Sequence, residues 1–171
     1  PYDNVETLIG NHPGDGFFFG PGVTDLGNDT ALFDPGAAGV GTHAITYSYS
    51  DINSCYNENI QSTTVHPLPT VFNVILPPSG GGYCIGGTGV DICVDGWEPG
   101  VNYELFYNGV PTGLVTGGQA GGFCFGNQTA VGTYTVVATT VAGGCARQMN
   151  GAPYVFINPL PNPFNVTGGG S

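Results

Sequence analysis

The chain has 171 residues, 31 of them Gly and 14 Pro, with 40% hydrophobic and 12% aromatic residues and a formal charge of −11. It has no Lys, and Arg147 is its one basic residue, so it cannot neutralise phosphates; nucleic acid and anionic membrane surfaces are excluded as partners. The apolar content is too high for a disordered chain, and the Gly and Pro content is too high for long helices, so many short strands joined by tight turns are expected.

In chain order, strands are predicted over residues 5–9, 17–19, 42–49, 60–65, 71–76, 90–94, 102–107, 122–125, 133–139 and 154–157. The stretch 42–49 alternates with period two, so Ile45, Tyr47 and Tyr49 would face the core while Ala44, Thr46 and Ser48 face away. The run Thr133-Tyr134-Thr135-Val136-Val137-Ala138-Thr139 is rich in β-branched residues and reads as its equivalent. Asn108-Gly109 between apolar runs predicts a type I′ hairpin. No segment carries a helical period, and no apolar run approaches the roughly 20 residues of a membrane span.

Self-similarity is the most informative feature. His66-Pro67-Leu68-Pro69-Thr70-Val71-Phe72-Asn73-Val74 recurs as Asn158-Pro159-Leu160-Pro161-Asn162-Pro163-Phe164-Asn165-Val166, an offset of 92 from position 66 to position 158. Val40-Gly41-Thr42 recurs as Val131-Gly132-Thr133 at an offset of 91, and Cys55 recurs as Cys145 at an offset of 90. A period near 90 residues suits a sandwich module and not a solenoid repeat. The expected architecture is all-β, with tandem immunoglobulin-like β-sandwich modules joined by short Pro-rich linkers. Residues 1–66 form a first, N-terminally truncated module, residues 67–159 a second, and residues 160–171 a linker and the start of another. Pro67-Leu68-Pro69 and Pro159-Leu160-Pro161 would be stiff, extended junctions.

The resemblance is carried by Phe19-Gly20-Pro21-Gly22-Val23, the run from Phe33-Asp34-Pro35-Gly36 to Gly41-Thr42-His43, Ile45-Thr46-Tyr47 and Cys55. In the second module it is carried by Tyr83-Cys84, Gly86-Gly87-Thr88-Gly89-Val90, Gly100-Val101-Asn102-Tyr103, Phe125-Gly126-Asn127-Gln128-Thr129 and Gly132-Thr133-Tyr134-Thr135-Val136. These stretches resemble the immunoglobulin-like and polycystic-kidney-disease-like tandem repeats of type IX-secreted Bacteroidetes surface proteins of the gliding-motility and adhesin type. The resemblance implies export, display at the outer surface and a role as stalk or fibre without catalysis. The partners it implies are neighbouring repeats of the same chain. Identical chains in a filament, joined by strand addition through Phe164-Asn165-Val166-Thr167, and surface glycans are the alternatives.

Five cysteines without a CxxC pair, and three scattered histidines, give no zinc spacing and favour disulfides. The family-like unit pairs an early Tyr-Cys with a later cysteine, which implies Cys84–Cys145. Cys93 and Cys124 each lie within a predicted strand and would form a second bridge. Four cysteines allow three pairings, so spacing alone leaves this open. Cys55 is left without a partner, because Tyr2-Asp3 stands where the early Tyr-Cys belongs.

The acidic clusters Asp25, Asn28 and Asp29, Asp51 and Asn53, and Asp91, Asp95 and Glu98 offer oxygens to calcium, although none matches an EF-hand loop; turn chemistry explains them equally. No other cofactor is implied. Asp29-Thr30-Ala31 resembles a Bacteroidetes O-glycosylation triplet, with Thr30 carrying the sugar. Phe17-Phe18-Phe19 and Trp97 are candidate aromatic platforms, and three consecutive Phe cannot all face one side of a strand. His12, His43 and His66 lie in no nucleophile motif, so no enzyme chemistry is expected.

Overall fold

The computed structural model describes residues 4–11, 16–117 and 121–165. It is nearly all β, with one four-residue helix, and the chain divides into two compact units, Pro1–Leu68 and Pro69–Ser171. The division falls inside the Pro-Leu-Pro junction. Pro69 is fully buried in the second unit and its carbonyl accepts from Arg147 Nη1 at 3.5 Å, while Thr70 N–H donates to Glu98 Oε2 at 2.8 Å. The last residue of the linker is thus held by the unit that follows it.

The first unit contains β1 (Glu6–Ile9), β2 (Phe17–Phe19), β3 (Val23–Gly27), β4 (Thr30–Phe33), α1 (Pro35–Ala38), β5 (Gly41–Ser50) and β6 (Tyr56–Val65). They form two three-stranded antiparallel sheets, β1-β4-β3 and β2-β5-β6. The core between them is small: Phe18, Ala31 and Tyr47 are buried, and Leu8, Val23, Ile45 and Tyr49 pack against them. Asp34 caps α1 by accepting from the Gly36 and Ala37 N–H groups, and Pro35 starts it, where the missing N–H is harmless. Gly39 ends the helix and the chain enters β5.

The expected inward face of β5 is present in Tyr47, but Thr46 and Ser48 are buried as well. Ser48 lies between Phe17 and Glu58 in the sheet, and Thr46 between Phe19 and Ile60. Small side chains in a central strand are shielded by taller neighbours on both sides.

The second unit contains β7 (Val74–Ile75), β8 (Gly82–Cys84), β9 (Val90–Val94), β10 (Val101–Tyr107), β11 (Val110–Thr116), β12 (Phe123–Gln128), β13 (Gly132–Thr140), β14 (Ala146–Gln148) and β15 (Tyr154–Asn158). One sheet runs β12-β9-β7; the other runs β11-β10-β13-β15-β8, with β14 also paired to β13. The two sheets enclose one core. Val90, Ile92 and Val94 of β9 face Val101, Tyr103 and Leu105 of β10 and Tyr134, Val136 and Ala138 of β13, and Val74, Met149 and Val155 complete it. Alternation along each strand puts one residue in two into this layer. The strand pairing, and the parallel pairing of β8 with β15, fit an immunoglobulin-like sandwich.

Asn108 and Gly109 have φ of 47° and 80°, which gives the type I′ turn between β10 and β11. A second turn of this kind was not anticipated: Asn28 and Asp29, at φ 52° and 59°, turn β3 into β4. Among the described residues no helix is long and apolar enough to cross a membrane.

Candidate functional site

Cys93 and Cys124 face each other across β9 and β12 and are joined, with an S–S distance of 2.01 Å. The bridge staples neighbouring strands of one sheet. The expected Cys84–Cys145 bridge is not formed, and neither cysteine is disulfide-bonded. Cys84 ends β8 beside Asn158, which lies beyond the Gly132 end of β13. Cys145 sits at the opposite end, where its carbonyl accepts from Thr140 N–H at 2.9 Å. The length of β13 separates them, roughly 25 Å at the rise of a strand, whereas a disulfide needs Cα atoms within about 7 Å. Cys55 is exposed and not disulfide-bonded, and its N–H donates to Asp51 Oδ1 at 2.7 Å.

Of the acidic residues named as calcium candidates, Asp25, Asp29, Asp51, Asp95 and Glu98 accept from backbone N–H groups, whereas Asp91 Oδ1 is buried without a hydrogen-bond partner. Asp25 Oδ1 accepts from Phe18 N–H at 2.9 Å and Asp25 Oδ2 from Gly27 N–H at 3.2 Å. Asp29 Oδ1 accepts from Tyr47 OH at 2.6 Å and Gly16 N–H at 3.0 Å, which ties the β3–β4 turn to the core. Asn28 supplies the positive φ of the same turn. Asp95 accepts from Asn73 N–H at 2.8 Å and Asn73 Nδ2 at 2.7 Å, and these bonds, the side-chain amide foremost, hold its carboxyl below its ordinary value. Asp51 is lowered likewise, first by the Cys55 N–H and then by the Asn53 side chain. Among the described residues, the one cluster of three potential metal ligands is Asp91, Cys93 and Cys124. Its two sulfurs are spent on the disulfide, so it offers no thiolate.

Thr30 is half-buried at the start of β4 and its hydroxyl donates to Gly27 O at 2.9 Å. A sugar on Thr30 Oγ1 would replace that bond. Trp97 is partly buried against the second core and its indole N–H donates to Gly117 O. Phe18 points into the first core, while Phe17 and Phe19 lie on the outer face with ring centroids 5.7 Å apart. His12 lies outside the described residues; His66 follows β6.

His43 has a structural role that the sequence reading missed. Its Nε2 donates to Gly39 O at 2.8 Å, four residues back at the entry to β5. Tyr134 occupies the same place in β13, and its OH donates to Ala130 O at 3.0 Å, also four residues back. Tyr134 matches the tyrosine corner of immunoglobulin-like domains.

The first unit has a groove of about 440 Å³ lined by Ile9, Gly10, Phe18, Tyr47, Asn59 and Gln61, among others. Aromatic rings form its floor and the two amides form one wall. Asn59 and Gln61 pair with Tyr47 and Ile45, so they stand on the core-facing side of β6, yet both are exposed.

No family model matches the chain, and no curated protein or solved structure is significantly similar to it.

Proposed function

We propose that the chain is a non-catalytic spacer segment of a bacterial cell-surface adhesin, exported to the outer surface and built from tandem copies of one immunoglobulin-like module. The observation that carries this reading is the repeated corner. His43 and Tyr134 are 91 residues apart and bond to the carbonyl four residues back at the entry to corresponding strands. The pairings that follow correspond too: Gly41 faces Val65 in the first unit, and Gly132 faces Val155 in the second. Both valines are buried. Two modules in series, joined through Pro67-Leu68-Pro69, are what a stalk requires.

A second reading is favoured by one observation: Phe17 and Phe19 are both about half exposed on one face, across Ser48 and Thr46 from Glu58 and Ile60 of β6. Such a face suits the apolar side of a sugar ring. Immobilised chain tested against a panel of glycans and cell-surface preparations separates the two. A spacer gives no saturable binding. Saturable binding that disappears in Phe17→Ala/Phe19→Ala would establish the carbohydrate-binding reading instead.

A further inference from the structure

Strand β9 sends alternate residues to opposite sides of its sheet. Val90, Ile92 and Val94 enter the core, which leaves Asp91 and Cys93 on the outer face, two positions apart. On β12, Cys124 stands opposite Cys93 and Asn127 opposite Asp91. One extra residue of β12 lies between these pairs, where Gly126 takes a φ of 82°. Such a bulge bends a strand and re-aims its side chains. Alternation and pairing thus bring one carboxylate oxygen and two sulfurs within 4.8 Å of one another.

Asp91 differs from the other carboxylates of the chain that the sequence singles out. Asp25, Asp29, Asp51, Asp95 and Glu98 each accept a backbone N–H. Asp91 Oδ1 is buried and accepts nothing. A carboxylate oxygen hidden from water and given no donor costs free energy until a donor or a cation faces it. Among the described residues the other buried side-chain oxygen without a partner is Ser48 Oγ, a neutral hydroxyl. The cluster is also reachable: Asp91 and Cys93 are half-buried, and Cys124 is exposed.

We propose that Asp91, Cys93 and Cys124 form a redox-gated metal site, closed while the disulfide stands and binding one thiophilic divalent cation, of the zinc and cadmium type, once it is reduced. A dithiol supplies two electrons and two protons: the S–S bond breaks, two thiols form, and the dithiol becomes a disulfide. The cation then displaces both thiol protons to solvent and bonds two thiolates and Asp91 Oδ1. Metal–sulfur bonds of about 2.3 Å at tetrahedral angles hold the sulfurs about 3.7 Å apart. Rotation about the two cysteine Cα–Cβ bonds supplies that separation.

Two thiolates select against calcium and magnesium, which take oxygen ligands. Three protein ligands leave a fourth position to water on the exposed Cys124 side, as in an open zinc site. The cation would take over the staple between β9 and β12 that reduction removes. The inference concerns the second unit alone and does not depend on the stalk reading.

The test uses the full chain. Cys55, Cys84 and Cys145 are alkylated while the bridge is intact, and the bridge is then reduced with a phosphine, which does not compete for the ion. Titration with cadmium or cobalt(II) should give one ion per chain and a thiolate-to-metal charge-transfer band that the oxidised chain lacks. The ion should also raise the melting temperature of the reduced chain. Asp91→Asn should keep the band but weaken binding at least about tenfold, the least that losing even an outer partner costs. No band in the reduced chain, or one ion shared between two chains, overturns the proposal. Unchanged affinity in Asp91→Asn overturns it too, by leaving a bare thiol pair. So does a reduced chain that loses its strand signal in circular dichroism and does not regain it with the ion.

Discussion

The imidazole of His43 and the phenol of Tyr134 each hold a carbonyl four residues back, and each pins the loop that leads into the central strand of its unit. Tyr134 is buried, and burial raises its hydroxyl above the ordinary tyrosine value, so it remains a neutral donor. Tyr134→Phe should cost about 1 kcal/mol, which is about 4–8 °C in a unit of this size. His43→Phe should lower the melting of the first unit alone. Calorimetry resolves the two effects; an unchanged profile in Tyr134→Phe would remove the corner from the account. Asp95 supplies the pH dependence at this scale. Its folded-state carboxyl is held below 3.8, so its stabilising contribution is complete above that value and is lost as pH falls through the lower folded value. Asp95→Asn should therefore flatten the acid limb of urea unfolding curves for the second unit, and loosen Asn73 at neutral pH as well.

At the scale of elements, the strands most legible in the sequence, β9, β10 and β13, each bury one face; β4, which buries Ala31 and Phe33, is short and was not predicted. Residues 90–94, 102–107 and 133–139 alternate because each second residue enters the core. The first half of β6, Tyr56 to Asn59, escaped because Asn57 and Asn59, though paired with the core-side Tyr49 and Tyr47, are exposed and polar, so no apolar period marks it. Strand β11 is an exposed edge containing Pro111 and Gly113, where residues that weaken a central strand are tolerated. Asn28 and Asp29 looked like cation ligands because the same polar residues serve turns, and only the backbone angles tell the two uses apart. Of the cysteines, Cys93–Cys124 followed from two predicted strands, whereas Cys84–Cys145 followed from resemblance and met strands of the wrong geometry. Opening the Cys93–Cys124 loop, with a sequence separation of 31, should destabilise the second unit by about 3–4 kcal/mol. Chemical denaturation of Cys93→Ala/Cys124→Ala measures it. Non-reducing peptide mapping should find this bridge and no link between Cys84 and Cys145.

For the whole molecule, the chain divides into two compact units, each with its own core. The two cores are unequal. Among the described residues the core cluster of the second unit gathers twelve buried residues and that of the first gathers three, and the second unit carries the disulfide on the outer face of β9 and β12. The first unit should therefore yield at lower temperature and lower force.

Single-molecule extension of the chain, pulled from its ends, tests the central claim most directly. The account predicts two separate unfolding events, the weaker from the first unit. Reduction should lengthen only the stronger event, by the hidden loop of 31 residues, about 110 Å of extended chain. A single cooperative event, or a reduction-dependent gain in the weaker one, would contradict modules in series.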